Sequence, residues 1–275
     1  MIDFIVDENR CVRCGVCAGD CPVSIINLEH GFPHLEKDDE KKCMGCQHCL
    51  AVCPTGALSI FGINPDECVP ASDVASSEQV DALIRNRRTV RQFKQKSVDP
   101  EKLNQLINTV ANAPTGKNSR TVTLHVIDDI DQMKVYVEKA YSHLEQMIEA
   151  GTIPENMGFF HVATKMYREG KDLVFRSAPA IVVASAPKDG PTPMADAYIS
   201  LSYMELMASS MGLGAVWCGF AMYMFSFAPE LMSELGIPED HEVAYTLLLG
   251  EPSVKYFRGV VRDDIQVNRV TFTNQ

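Results

Sequence analysis

The chain has 275 residues, 46% of them hydrophobic, and a formal net charge of -11. This length and composition can fill a packed core, which excludes an intrinsically disordered chain. The acidic balance disfavours contact with a phosphate backbone. We therefore expect no nucleic-acid partner, and instead small molecules or proteins with basic faces.

The N-terminal residues do not resemble a secretory signal. Asp3 and Asp7 stand where a signal peptide has a basic start followed by an apolar run. Residues 206–227 carry no charge and are long enough to cross a membrane, but Gly212, Gly214 and Gly219 interrupt them. We interpret this stretch as a buried helix followed by a buried strand, and we expect a cytoplasmic protein without membrane contact.

Cysteine spacing gives the first functional signal. Ten cysteines in a chain without a secretory signal indicate metal binding more than disulfides. Eight of them form two C-x2-C-x2-C-x3-C-P runs, which are Cys11, Cys14, Cys17 and Cys21 before Pro22, then Cys43, Cys46, Cys49 and Cys53 before Pro54. Three thiolates at this spacing lie on one tight loop and can bind three irons of a cubane cluster. The two runs therefore predict two 4Fe-4S clusters.

Residues 1–62 resemble a two-cluster bacterial ferredoxin, a pattern in which the last cysteine of each run ligates the other cluster. One cluster is then assigned to Cys11, Cys14, Cys17 and Cys53, and the other to Cys43, Cys46, Cys49 and Cys21. The alternative is a zinc site built from two C-x2-C pairs, which leaves the other cysteines and both prolines without a role. We predict no metal ligation by Cys68 or Cys218, which are more typical of inert thiols.

Turn-forming residues after Phe61, including Gly62 and Pro65, mark a boundary between two domains. We predict a cluster domain over 1–65, a linker over 66–78 and a larger domain over 79–275.

In the larger domain, the sequence predicts helices over 79–86 and 100–112, the second with Asp99 as N-cap and Pro100 at its first position. Apolar or alternating runs at 122–126, 180–184 and 244–249 predict strands. The helix predicted over 196–211 is apolar nearly all round, which indicates that it is covered on most sides, as by a second subunit. The fold class expected is therefore α+β, with a layered larger domain that forms a homodimer.

Four segments of this domain resemble the nitroreductase family in the same order and spacing. They are Arg87-Arg88-Thr89-Val90-Arg91-Gln92-Phe93, Ala113-Pro114-Thr115-Gly116-Lys117-Asn118-Ser119, Gly212-Leu213-Gly214 with Trp217-Cys218-Gly219, and Leu249-Gly250-Glu251-Pro252. Residues 79–260 are covered by the resemblance. Arg120 departs from the family pattern, which has Gln followed by Pro-Trp there, so the substrate side of the site is left open.

The resemblance implies noncovalent FMN, whose phosphate and electron-rich ring edge suit arginine ligands. It places Arg87 and Arg91 at the phosphate or ring edge, Arg88 and Thr89 at the phosphate and ribityl chain, Asn118 at the pyrimidine side of the ring, the backbone of Cys218 and Gly219 at the N5 atom, and Lys255 and Arg258 at the phosphate. Without the other segments, the arginine run would be read as a solvated basic helix end.

Together these features predict an FMN-dependent oxidoreductase that relays electrons through two clusters to FMN and on to a small conjugated acceptor such as a nitroaromatic or quinone. The alternatives are an electron carrier or redox sensor without turnover, and a flavin-dependent reductive dehalogenase. Residues 1–70 hold eleven Asp and Glu against five Lys and Arg. This excess of acidic residues favours a ferredoxin-like donor with a basic face, and the alternative donor is NAD(P)H. Region 145–171, which contains Met157, Phe159, Phe160, His161, Met166 and Tyr167, is either a substrate lid or, as such spacing more often indicates, core.

Overall fold

A computed structural model describes residues 2–29 and 31–272, which group into two compact units. The smaller unit comprises Met1–Ala75, Pro114–Thr121 and Asp189–Thr192, and the larger comprises Ser76–Ala113, Val122–Lys188 and Pro193–Gln275. The units thus divide between Ala75 and Ser76. Two short segments that the predicted boundaries place in the larger domain cluster with the smaller unit instead.

The smaller unit is built from short elements. Its strands and helices are β1 (Phe4–Val6), α1 (Val16–Gly19), β2 (Ile26–Asn27), β3 (His34–Leu35), α2 (His48–Ala51) and β4 (Leu58–Ile60). Strand β1 pairs antiparallel with β4, and β2 pairs antiparallel with β3. Its buried apolar cluster is small and includes Cys17 and Cys49 beside Leu50, Leu58 and Ile60.

The larger unit has a four-stranded antiparallel sheet in the order β5-β6-β8-β7. Its strands are β5 (Thr123–Ile127), β6 (Ala180–Pro187), β7 (Gly214–Trp217) and β8 (His241–Gly250). Its helices are α3 (Ser77–Asn86), α4 (Pro100–Val110), α5 (Ile130–Glu149), α6 (Phe159–Arg168), α7 (Pro193–Ser210), α8 (Gly219–Phe227) and α9 (Glu230–Glu234). The predicted α+β class is confirmed.

Helices cover both faces of this sheet, because residues alternate along the strands between two cores. In β6, Val182 belongs to the cluster with α4 and α7, whereas Ile181 and Val183 belong to the cluster with α5, α6 and α8. A strand buried on both faces reads as an unbroken apolar run, which is why the sequence signals β6 so clearly.

Short-range contacts determine where helices α3 and α4 begin and end. Helix α4 begins as predicted, with the Asp99 carboxylate accepting from the Glu101 amide at 2.9 Å. It ends at Val110, two residues before the predicted end, because the Asn112 and Ala113 amides bond to carbonyls three residues back instead of four. Helix α3 begins at Ser77, since Ser76 and Gln79 form a capping box ahead of the predicted start.

Helix α7 buries one face only within this chain. Leu201 and Met204 are fully buried, whereas Tyr198 and Tyr203 are 38% and 41% exposed. Within residues 2–29 and 31–272, no helix has the combination of length and apolar character needed to cross a membrane. The uncharged stretch 206–227 instead contains the end of α7, then β7, then α8.

Candidate cofactor sites

Two cavities of the smaller unit are each lined by four cysteines. The first is lined by Cys11, Cys14, Cys17 and Cys53, and the second by Cys43, Cys46, Cys49 and Cys21. Each cavity takes three thiols from one run and the fourth from the other run. The remaining lining is mainly apolar, with Val6 and Leu58 in the first cavity and Phe4 and Ile60 in the second. Four thiols around an apolar cavity are the donor set that a 4Fe-4S cluster requires.

Both cysteine runs have the same backbone turn. Arg13 and Gly45 have φ of 55° and 64°, and two residues later Gly15 and Gln47 have φ of 74° and 62°. These left-handed residues bend the chain between the first cysteines and the short helices α1 and α2. The repeated turn brings three thiols of each run to one cavity.

Backbone amides donate to two of the cysteine sulfurs. The Gly45 N–H lies 3.4 Å from Cys43 Sγ, and the Ala57 N–H lies 3.2 Å from Cys53 Sγ. Hydrogen bonds to a thiolate favour its charged, metal-binding form.

Burial acts in the opposite direction on the more enclosed thiols. It raises the pKa of Cys17 and raises the pKa of Cys49 to about 11. Burial also raises the pKa of Cys53, but donors from Ala57 and Thr55 outweigh it and lower that pKa overall. Cys17 and Cys49 thus resist ionising as free thiols at neutral pH, so a bound cation is needed to hold them as thiolates.

The larger unit has a separate cavity of about 400 Å³ beside the start of α8. Its lining is Thr89, Arg91, Val174, Arg176, Val216, Trp217, Cys218, Gly219, Phe220, Tyr223 and Leu248. This volume is in the range of small-molecule sites. Two arginines and the helix N-terminus at Gly219 favour a negatively charged group, and the aromatic side chains suit a flat conjugated ring. FMN has both features, so the lining fits it.

The segment that contains the arginines, residues 87–91, is held against β7, the edge strand of the sheet. Thr89 forms a parallel bridge with Ala215, and the Val90 N–H donates to the Ala215 carbonyl at 3.0 Å. A Cβ on Gly214 would overlap the Val90 side chain. A residue without a side chain is therefore required at position 214 for Thr89 and Arg91 to reach the cavity.

Arg87 lies outside the cavity lining and is held by a carboxylate that the sequence analysis missed. Its guanidinium donates to Glu205 at 2.5 Å, and the Trp217 indole N–H donates to the other Glu205 oxygen at 3.0 Å. The Glu205 side chain is 13% exposed. The available signal was a carboxylate within an otherwise apolar helix, since α7 carries only Asp196 and Glu205 as charges.

The C-terminal basic residues run close to the same segment. The Tyr256 hydroxyl, one residue after Lys255 and two before Arg258, donates to the Thr89 carbonyl at 3.3 Å. Lys255 lies over the Phe257 ring at 5.2 Å. Arg88 is half-buried between Arg87 and Thr89.

Cys218 lines the cavity, but its backbone amide is occupied. The N–H donates to the Thr246 carbonyl at 2.9 Å, which conflicts with the expectation that it faces a flavin. The buried thiol donates to the Val174 carbonyl at 3.4 Å, and burial raises its pKa to about 11. Gly219, as the first residue of α8, keeps the position expected of it at the cavity.

Asn118 belongs to the smaller unit and does not line this cavity. Its side-chain amide donates to the Met44 carbonyl at 2.8 Å, between the first two cysteines of the second run. The structure therefore gives it a partner that the family resemblance did not predict.

Region 145–171, expected as either lid or core, packs its apolar side chains onto the core of the larger unit, while about half of its residues are exposed. Phe160 is 1% exposed, and Arg168 fixes α6 to α5 through Glu138 and Glu145 at 2.7 and 2.6 Å. Phe159 stacks on Phe220, which lines the cavity, so this region supports the cavity wall from behind without lining it.

Comparisons with known proteins follow the same division. A family model described as the nitroreductase family matches residues 84–251, and a 4Fe-4S dicluster domain matches residues 10–57. A search of curated proteins finds no match.

Solved nitroreductases have a similar fold. One from Bacteroides fragilis with bound FMN is 18% identical at a TM-score of 0.55, covering 71% of this chain and 99% of that one. A nitroreductase from Desulfitobacterium hafniense with bound FMN is 24% identical at a TM-score of 0.55, covering 70% of this chain and 98% of that one. An iodotyrosine deiodinase bound to FMN and 3-iodo-L-tyrosine also has a similar fold. It is 18% identical at a TM-score of 0.51, covering 70% of this chain and 100% of that one.

Proposed function

This chain belongs to the nitroreductase family and carries an N-terminal 4Fe-4S dicluster domain, and from this premise we propose that it is an FMN-dependent oxidoreductase fed by two clusters. The observation that carries the proposal is that one chain combines two four-cysteine cavities with a cavity lined by arginines and aromatic residues. When bound, the clusters supply single electrons and FMN supplies paired ones. The acceptor we propose is a small conjugated molecule such as a nitroaromatic or quinone.

We assign FMN to the cavity beside the start of α8. Arg91 and Arg176 supply fixed positive charge at the wall, Gly219 places the helix N-terminus there, and the Trp217 and Phe220 rings offer flat apolar surface. Two segments meet where the Tyr256 hydroxyl bonds to the Thr89 carbonyl. We assign the FMN phosphate to this place, because the two segments carry Arg87, Arg88, Thr89, Lys255 and Arg258.

The FMN assignment is tested by Arg91→Ala, with Arg85→Ala as the control because Arg85 pairs with Asp81 on an exposed helix face. Losing a charge-assisted hydrogen bond costs about 1.5–3 kcal/mol, so FMN should bind about 10- to 150-fold more weakly to the first variant. Equal FMN affinity in the two variants would remove Arg91 from the site.

The electron route is tested by a Cys11→Ala, Cys43→Ala double variant that retains FMN, with exposed Cys68→Ala as the control. We expect the double variant to lose activity with a low-potential one-electron protein donor while keeping activity with NAD(P)H. Unchanged rates with the protein donor would show that the clusters are not the entry path. Loss of activity with both donors would point to damage at the flavin instead.

The acceptor class is tested under anaerobic conditions by following reoxidation of the reduced flavin. The panel should hold a nitroaromatic, a quinone and an iodinated aromatic amino acid, because the similar folds include a deiodinase. Preferential turnover of the first two supports the leading proposal, and preferential dehalogenation supports the reductive dehalogenase. No turnover with any acceptor would favour an electron carrier or sensor.

We also propose that the larger unit forms a homodimer. Helix α3 is amphipathic, yet Val80 and Ile84 on its apolar face are 43% and 54% exposed. Tyr203 on α7 is also exposed. After β8 the chain runs to residue 272 without helix or strand, and Val261 in this segment is 98% exposed. Apolar area of this kind is typical of an interface.

The dimer is tested by Tyr203→Glu, compared with Val135→Glu on the exposed face of α5. Light scattering should show a shift to monomer for the first variant only. A monomeric unmodified protein would refute the proposal.

A further inference from the structure

The Met44–Gly45 peptide bond makes hydrogen bonds at both ends. Its carbonyl accepts from the Asn118 side-chain amide at 2.8 Å, and its N–H, on Gly45, donates to Cys43 Sγ at 3.4 Å. Because a peptide unit is planar and rigid, the direction of its carbonyl fixes the direction of its N–H. Asn118 therefore aims a hydrogen-bond donor at a cysteine sulfur that it does not itself touch.

The same contact strengthens that donor. A carbonyl that accepts a hydrogen bond polarises its peptide unit, so the N–H at the other end becomes more positive. Donors to the ligand sulfurs stabilise the extra negative charge of a reduced cluster, and such hydrogen bonds set cluster reduction potentials.

The loop that carries Asn118 holds the side chain in place. Lys117 and Asn118 have φ of 52° and 53°, a left-handed conformation in which asparagine is more readily accommodated than most residues. The Asn118 N–H donates to the Thr115 carbonyl at 3.0 Å, and a Cβ on Gly116 would overlap Thr192. Unusual backbone conformations of this kind cluster at functional positions.

The first cysteine run offers an internal comparison. Arg13 has nearly the same φ as Gly45, so both runs present the same turn. Val12 corresponds to Met44, and within the described residues no hydrogen bond reaches the Val12 carbonyl. The Met44 carbonyl, by contrast, is bound by a residue 74 positions further along the chain. The two cluster environments differ at this peptide.

We propose that Asn118 is a positioning residue that raises the reduction potential of one cluster only, the one held by Cys43, Cys46, Cys49 and Cys21. The inference rests on the proposed assignment of clusters to the two cavities. It makes the nitroreductase-like segment at 114–121 a determinant of cluster chemistry, in addition to any contact that it makes with FMN.

The test is an anaerobic redox titration followed by electron paramagnetic resonance. Asn118→Ala removes the donor, and Asn112→Ala is the control because that side chain bonds only to carbonyls of its own helix end. We expect one cluster in Asn118→Ala to become harder to reduce by about tenfold in its equilibrium constant, which is about 59 mV for one electron. The other cluster and the control should not change.

A second variant keeps the test decisive if Asn118→Ala binds clusters poorly. Asn118→Asp preserves the size of the side chain but places a carboxylate against the Met44 carbonyl, so the potential of the same cluster should fall further. In a Cys43→Ala background, which removes that cluster, neither substitution should shift the remaining one.

The outcomes separate this inference from the proposed function. Unchanged potentials in both clusters, or equal shifts in both, would overturn the role of Asn118. Weaker FMN binding with unchanged cluster potentials would assign Asn118 to the flavin instead. If the unmodified protein holds fewer than about eight irons, the cluster assignment itself fails before Asn118 is tested.

Discussion

Replacing Glu205 by glutamine should destabilise the larger unit by about 2 kcal/mol. Arg87 and Glu205 form a 2.5 Å ion pair with side chains 25% and 13% exposed. Exposed pairs contribute about 0–1 kcal/mol, and breaking a fully buried pair costs about 3–5 kcal/mol. The Arg87–Glu205 pair is intermediate in burial, so we expect an intermediate cost. Glu205→Gln keeps an acceptor for Trp217 but leaves the Arg87 charge half-buried and unpaired.

Urea unfolding of the FMN-free protein, in which no phosphate can pair with Arg87 in place of Glu205, measures this loss by circular dichroism. Fluorescence adds a local report because Trp217, which donates to Glu205, is the single tryptophan of the chain. For a unit of this size, about 2 kcal/mol corresponds to a fall in Tm of about 4–8 °C.

The matched control is Asp81→Asn, which breaks a 2.6 Å pair with Arg85 whose side chains are 58% and 73% exposed. It should cost less than about 0.5 kcal/mol. In the FMN-free protein, a Glu205→Gln loss no larger than that of the control would refute the argument.

Three further predictions concern cysteines and charge. Cys21→Ala should lose one of the two clusters and leave about four irons per chain, whereas Cys68→Ala should retain about eight by iron analysis. Cys218, with its pKa raised to about 11 by burial, should react with iodoacetamide far more slowly than Cys68 at pH 8, by mass spectrometry of the labelled peptides. Arg168 lowers the pKa of Glu145 through a hydrogen bond. The stability difference between the native chain and Arg168→Leu should therefore be full above about pH 4.3 and vanish as pH falls through the lower folded-state pKa, as urea titrations would show.

Elements fixed by neighbouring residues could be predicted from sequence. Asp99 and Pro100 start α4 through contacts within one turn, and β6 reads as a strand because both of its faces are buried. Cysteine spacing predicts two clusters for the same reason, since three of each four thiols lie within seven residues. Local patterns of this kind need no knowledge of the tertiary fold.

Contacts between distant residues could not be predicted in this way. Glu205 lies 118 positions from Arg87, and Asn118 lies 74 positions from Met44. The resemblance placed Arg87 and Asn118 at a flavin from their positions in short motifs alone. Motif position does not report a second partner. The carboxylate of Glu205 stands out as a charge on an apolar helix, but the sequence does not identify Arg87 as its partner. A carbonyl inside a cysteine run carries no sequence signal at all.

The small core of the cluster-binding unit explains why its ligands and its fold belong together. Two of the five buried residues of that core are Cys17 and Cys49, each a cysteine at one of the cavities. A core of this size supplies little apolar burial, so metal binding must contribute to folding as it does in other small metal-binding domains. Each cavity also draws its fourth thiol from the other run, so neither run completes a site alone.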